Sequence, residues 1–175
     1  MTGRPRLTGG RARGRLLPVP VAEGVRPTAA RTREALFSLV GHHLAGRRFL
    51  DPAAGSGLVA LEAWSRGASV VAIERDPARA RLIRAAVDAF QADVQVLVGD
   101  GCALVGGLGA FDVAFVDPPY VEDPLHLVGV SLAAAPSVVV EVAAQTKLPE
   151  VLPNGVCTRV GRYGAAALWS YEARP

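Results

Sequence analysis

Four short apolar runs in this chain each stop at or beside an acidic residue, and that recurrence limits the fold more than any other feature. The run at 49–50 stops at Asp51, that at 70–73 at Glu74, that at 94–98 near Asp100 and that at 111–116 at Asp117. Helical signals fill the gaps. Gly55-Ser56-Gly57 opens a helix expected to reach about Arg66. Pro77 suits the first turn of another, whose Ile83, Ala86, Val87 and Phe90 share an apolar face. Continuously apolar strands alternating with helices make a parallel sheet covered on both faces. The last third changes character: 138–142, 157–160 and 166–171 read as strands, the final two forming a hairpin about Tyr163-Gly164. The expected fold is α/β, an open, mostly parallel sheet with an antiparallel tail.

Upstream, residues 1–27 read as a basic extension with one hairpin, tied down by little of its own, and 28–175 as the body. Thr28 is placed to cap a helix whose Leu36, Leu39, Val40, His43 and Leu44 recur at helical spacing, with Gly46 as its stop. With half of its residues hydrophobic and a fifth charged, the chain can bury a core, which excludes intrinsic disorder. Cys102 and Cys157 make no disulfide framework, and with three histidines they make no zinc site of usual spacing. No apolar stretch is long enough to span a membrane, and no signal-peptide core follows the first arginines. The expectation is a cytoplasmic monomer that needs neither metal nor membrane.

The net charge of +3 conceals an uneven distribution. Arg4, Arg6, Arg11, Arg13, Arg15, Arg26, Arg31 and Arg33 crowd the first fifth of the chain against Glu23 and Glu34, while acids outnumber bases in the rest. Lys147 is the only lysine, so a compositional bias selects arginine; it does not explain the crowding. A basic arm on a mildly acidic body points to a polyanion, here nucleic acid.

In open α/β sheets ligands lie outside the carboxyl ends of the strands. One acid there is ordinarily a turn or cap residue; four in succession are expected to converge on one pocket. The loop from Gly55 to Ala60 fits G-x-G-x-x-G/A, and Glu74 follows Gly57 by seventeen residues, near the spacing of an acid that binds ribose hydroxyls. This pattern does not separate a nicotinamide nucleotide from S-adenosylmethionine.

Asp117-Pro118-Pro119-Tyr120 separates them. The double proline fixes φ twice, holds Asp117 extended and removes two N–H donors, leaving carbonyl acceptors. A carboxylate and a carbonyl side by side can accept both hydrogens of an exocyclic amine while the ring stacks on the base. The nitrogen is then drawn toward tetrahedral geometry and its lone pair is freed from the base for methylation.

These residues resemble the [DN]-P-P-[YFW] motif of amino-group methyltransferases, and the longer pattern resembles the RsmD family, which methylates N2 of a guanine in small-subunit ribosomal RNA. The likeness runs through Leu7-Thr8-Gly9-Gly10, Arg13-Gly14-Arg15, Arg26-Pro27-Thr28, Arg33-Glu34-Ala35-Leu36-Phe37, Ala54-Gly55-Ser56-Gly57, Leu61-Glu62-Ala63, Ser65-Arg66-Gly67-Ala68 and Tyr163-Gly164. It implies a seven-stranded Rossmann-like methyltransferase fold with an N-terminal hairpin, S-adenosylmethionine as methyl donor, and ribosomal RNA or the assembled small subunit as partner. It further implies that Asp51, Ala54, Gly55, Ser56 and Gly57 flank the donor's methionine part. Glu74 would take its ribose hydroxyls, and Asp100 with Gly101 its adenine. Asp117 would be acceptor and proton sink, the Pro118 carbonyl second acceptor, Pro119 the second rigid link and Tyr120 the stacking platform. Arg26, Thr28 and Arg33, with the other N-terminal arginines, would meet RNA phosphate at the rim. Pro52, Ala60, Ala86 and Ala166 depart from the family's usual residues without removing a chemical group the reaction needs. Rival readings are a related enzyme acting on adenine N6 or a protein glutamine, a nicotinamide-dependent oxidoreductase, and a non-catalytic RNA-binding assembly factor. The oxidoreductase leaves Asp117-Pro118-Pro119-Tyr120 without a purpose.

Overall fold

The computed structural model describes residues 4–119 and 122–174. In chain order the elements are α1 (Ala30–Val40), β1 (Arg48–Asp51), α2 (Leu58–Ser65), β2 (Ser69–Glu74), α3 (Pro77–Phe90), β3 (Val94–Val98) and α4 (Gly101–Leu104). A 3₁₀ turn (Val105–Gly107) leads to β4 (Val113–Val116), α5 (Leu125–Ala134), β5 (Ser137–Ala143), β6 (Val151–Leu152), β7 (Gly155–Tyr163) and β8 (Ala166–Ala173). They form one sheet in the order β3-β2-β1-β4-β5-β8-β7-β6. The first five strands are parallel, while β8 runs antiparallel to β5 and β7 to β8. The sheet thus has eight strands where the resemblance implied seven; the addition, β6, is a two-residue edge strand paired with β7.

Side-chain alternation along the strands feeds two cores. Phe49, Val70, Val113, Phe115 and Val139 pack on one face with residues of α1, α2 and α3, while Leu50, Val71, Ala114, Val116 and Val140 pack on the other with Val105, Leu127 and Leu132. The helix α2 is buried at every residue, as a helix between a sheet and a further layer must be. That further layer includes the extension: Leu7, Ala12 and Leu17 are 1, 2 and 0% exposed within the first core. The expected hairpin is reduced to a bridge between Arg6 and Leu16, closed by Leu7 N–H to Arg15 O at 3.0 Å and Gly14 N–H to Leu7 O at 2.8 Å. The extension is therefore held by the body's core, contrary to its expected loose attachment.

Thr28 does not cap α1. The N-cap is Ala29, without a side-chain bond, and the helix ends at Val40 with Gly41 at φ 111°, short of the expected stop at Gly46. By contrast α3 starts as its sequence dictates: Asp76 accepts from the amides of Ala78 at 2.7 Å and Arg79 at 3.2 Å, with Pro77 in the first turn.

A buried ionic cluster joins extension, α1 and α2. Glu62, fully buried, accepts from Arg33 Nε at 2.8 Å and Arg66 Nη2 at 3.0 Å, and also from the Thr8 hydroxyl. Arg33 also donates from Nη1 to the Thr28 carbonyl and from Nη2, at 2.7 Å, to the Arg6 carbonyl. Removing one member of such a pair strands the other's charge in the core, which costs about 3–5 kcal/mol. Arg33→Met is accordingly expected to lower unfolding free energy in urea by that amount, and adding Glu62→Gln to recover part of it. A loss below about 1 kcal/mol for the single variant would show that the cluster does not hold the extension.

Candidate active site

The carboxyl ends of β1 to β5 open into a cavity of about 570 Å³ lined by Asp51, Glu74, Asp100 and Asp117. The four acids marked in the sequence do converge. Their placement follows from register: Asp51 pairs with Ala72 of β2, Glu74 with Val98 of β3, and Val116 with Val140 of β5. This pairing brings Asp117 level with Glu141, a fifth and buried acid that also lines the cavity. Sequence reasoning missed Glu141 because it looked for acids ending strands, whereas Glu141 interrupts the apolar run of β5. Because β8 starts where β5 ends, Ala143 facing Ala166, the β7–β8 turn closes the same side through Tyr163, Ala165 and Ala166.

Two glycines in the loop between β1 and α2 adopt positive φ, 54° at Gly55 and 71° at Gly57. At Gly57 a Cβ would come within 2.7 Å of Ile83 Cγ2, so the loop can pack on α3 only without a side chain there. Glu74 fixes the loop from the neighbouring strand, its Oε2 accepting from Gly55 N–H at 2.8 Å and its Oε1 from Asp76 N–H at 2.9 Å. Asp100 accepts from Cys102 N–H at 2.7 Å, and Gly101 sits where a Cβ would collide with the Pro52 carbonyl.

The acids do not share their charge evenly. Burial, the neighbouring Asp117 and Glu74 together push the Asp51 carboxyl up to about 8, against backbone hydrogen bonds from Ala53 and Ala60 that lower it. Burial lifts Asp117 to about 6, and the Thr28 hydroxyl, donating to Asp117 Oδ2 at 3.2 Å, lowers it. Asp51 is thus protonated and Asp117 mostly ionised at neutral pH. Pro118 is buried behind Asp117 and Pro119 is exposed; Tyr120 lies outside the described residues. At the mouth Arg75 Nη2 and Glu122 Oε1 pair at 2.6 Å, joining the loop after β2 to the segment after Pro119. No sequence signal marked that pair.

The N-terminal arginines divide. Arg4, Arg6, Arg11, Arg13, Arg15, Arg26 and Arg31 are exposed, and Arg26 lines the cavity with Arg75 and Arg79. Arg11 lies over the Trp64 ring at 4.3 Å and Arg15 over Phe90 at 4.3 Å. These rings stand near the ends of α2 and α3, away from the glycine loop. Arg33 contradicts its expected place at the RNA rim: it is 2% exposed and each of its three nitrogens donates inward, to Glu62, Thr28 and Arg6. Thr28, 8% exposed, is likewise an inward residue bonded to Asp117 and not a rim contact. Among the described residues no group of His, Cys, Asp and Glu is placed to hold a metal ion, and no helix is long and apolar enough to cross a membrane.

The sequence profile of a family described as conserved hypothetical protein 95 matches residues 5–172. The ribosomal RNA small subunit methyltransferase D of Escherichia coli K12 is 32% identical over 181 residues, covering 98% of this chain and 91% of that protein. Among solved structures, the Escherichia coli protein yhhF is 30% identical with a TM-score of 0.83, covering 98% of this chain and 99% of that one. A hypothetical protein of a Thermus species is 34% identical with a TM-score of 0.82, covering 97% of this chain and 99% of that one.

The raised Asp51 carboxyl has a measurable consequence. The native state keeps a proton on Asp51 that the unfolded chain releases near its ordinary value of 3.8, so this group's contribution to stability falls as pH climbs from there to about 8. Asp51→Asn cannot ionise and is expected to gain on the wild type in urea unfolding at pH 8 relative to pH 5. An equal difference at both would mean that Asp51 ionises freely in the folded protein.

Proposed function

Since the chain belongs to the conserved hypothetical protein 95 family, the RsmD family that its motifs resemble, we propose that it transfers a methyl group from S-adenosylmethionine to the exocyclic N2 amine of a guanine in small-subunit ribosomal RNA. The observation that carries this reading is Asp117: an ionised, partly buried acid at the end of β4, followed by two prolines and set in the cavity that Glu74 and the glycine loop share.

The residues present fit the donor. A cavity of about 570 Å³ is within the range of small-molecule sites. Its lining is acid-rich, and Asp51 keeps its proton while Asp117 and Glu74 stand nearby. A ligand bearing positive charge offsets that repulsion. Asp51 and the turn from Ala54 through Ser56 to Gly57 would hold the methionine part, Glu74 the ribose hydroxyls, and Asp100 with Gly101 the adenine. Bound there, S-adenosylmethionine supplies an electrophilic methyl on a sulfonium.

The chain's own work is positioning and electrostatics. Asp117 accepts one N–H of the amine and the Pro118 carbonyl the other, which turns the nitrogen lone pair out of conjugation with the base. Asp117 then takes the proton that the amine sheds and returns it to solvent, a task suited to a carboxyl titrating at about 6. Pro119 keeps the acceptors rigid, and Tyr120 stacks on the base. The guanine must be unstacked to enter, at a cost of a few kcal/mol that an unpaired base largely avoids. Arg26 at the cavity, with Arg4, Arg6, Arg11, Arg13, Arg15 and Arg31 across the exposed extension, supplies phosphate contacts on ribosomal RNA, naked or within the assembled subunit. The enzyme acts as a cytoplasmic monomer.

Mass spectrometry of nucleosides from small-subunit RNA incubated with enzyme and donor is expected to yield N2-methylguanosine; N6-methyladenosine instead would select the adenine reading. Asp117→Ala should cut the transfer rate by at least about 100-fold while S-adenosylhomocysteine affinity stays within a few-fold, and Glu74→Ala should do the reverse. Equal loss of both in Asp117→Ala would mean that the acid serves the donor and not the amine. Replacing Arg11, Arg13 and Arg15 by alanine should weaken RNA binding and flatten its dependence on salt concentration. An unchanged slope would take the extension out of the RNA interface.

A further inference from the structure

Thr28 stands in the segment that leads from the extension into α1, 89 residues from Asp117 in sequence. It is 8% exposed, and its hydroxyl donates to Asp117 Oδ2 at 3.2 Å. The residue is held from behind. Arg33 Nη1 donates to the Thr28 carbonyl, while its Nε is anchored on Glu62 at 2.8 Å and its Nη2 on the Arg6 carbonyl at 2.7 Å. The first turn of α1 adds Arg33 N–H to Ala29 O at 3.0 Å. A buried guanidinium, fixed at three points, thus sets the position of the backbone that carries the hydroxyl.

We propose that Thr28 is a positioning residue for methyl transfer: its hydroxyl, pinned through Arg33 to the extension and to α2, holds Oδ2 of Asp117 and leaves Oδ1 for the incoming amine. This rests on the reading of Asp117 as the amine's acceptor. A carboxyl with two open oxygens in a cavity could rotate, and either oxygen would then meet the amine in a variable direction. One donor on Oδ2 removes that freedom and favours the charged form of the acid.

Burial opposes ionisation of Asp117, which shares its cavity with several charged and titratable groups. Asp51 faces it from β1, with Glu74 beyond on β2, and Glu141 lines the same cavity from β5. Glu122, Asp123 and His126 line it from the segment before α5 and from that helix's start, and Arg26, Arg75 and Arg79 bring positive charge to its wall. Against the cost of burial, Thr28 brings a hydrogen bond directly to the carboxyl, which favours its charged form. The arrangement also explains why the arm is packed into the core. The Arg6 carbonyl, in the extension, shares Arg33 with the Thr28 carbonyl, so the element expected to meet RNA and the residue that meets Asp117 are joined by one side chain.

Thr28→Val keeps the shape and loses the donor; Thr28→Ser keeps the donor. The Asp117 carboxyl is followed by carbon NMR between pH 4 and 8, assigned by its loss in Asp117→Asn, alongside single-turnover methylation of small-subunit particles and S-adenosylhomocysteine binding by calorimetry. Thr28→Val is expected to raise the Asp117 midpoint by about half to one pH unit, a three- to tenfold change in its proton equilibrium. The methylation rate at pH 6.5 should fall about three- to tenfold with S-adenosylhomocysteine affinity within about twofold, and Thr28→Ser should restore both midpoint and rate. An unmoved midpoint in Thr28→Val, or a serine variant no better than valine, overturns the proposal. Should the valine variant not fold, Thr28→Ala takes its place in the same comparison with serine. If wild-type protein methylates no particle, the functional reading fails, while the NMR midpoints still decide the role of Thr28.

Discussion

A carboxylate with no access to water holds this molecule's layers in register. Glu62 sits on α2 between the sheet and the extension, where an unpartnered charge would cost several kcal/mol. Two guanidiniums and a hydroxyl answer it, and they come from α1, from the residue that ends α2 and from the extension. Replacing such a cluster by apolar groups is often neutral in stability, so its value here lies in direction. Each donor has one acceptor geometry, and together they fix how the extension and the start of α1 lie against α2. The position of Thr28, and through it the oxygen of Asp117, follows from that geometry.

The opposite situation prevails at the carboxyl edge of the sheet. There the parallel topology brings Asp51, Glu74, Asp100, Asp117 and Glu141 to one cavity, where burial disfavours the charged form of a carboxyl and, at Asp51, neighbouring acids add to that. Asp51 yields, keeping its proton to about pH 8, and Asp117 titrates at about 6. A core optimised for stability alone would not gather acids in this way.

What could be read from the sequence was whatever is decided by neighbours along the chain. The strands ending at Asp51, Glu74 and Asp117, the glycine turn, the Asp76-Pro77 start of α3 and the hairpin about Gly164 all depend on a few consecutive residues, and each lies where the pattern put it. What could not be read depends on partners far apart. Arg33 looked like one more basic residue of the arm; its acceptor Glu62 is 29 residues away and inside α2. Thr28 looked like a helix cap, and a distant carboxylate outcompeted the local amides for its hydroxyl. Glu141 hid inside an apolar run because its place at the cavity is set by where β4 stops and β8 starts, not by its own flanks. The two-residue β6 is too short to leave any period.

Charge counting treated the arm as a tail, yet its packing changes what its arginines can do. With Leu7, Ala12 and Leu17 in the core, the backbone between them is already fixed. Arg11 and Arg15 are further restrained by stacking over Trp64 and Phe90. A disordered basic tail loses conformational entropy for every residue it lays along a phosphate backbone, whereas side chains held this way lose little. A flexible charge attracts any polyanion, whereas charges held on a fixed backbone can discriminate between partners by shape.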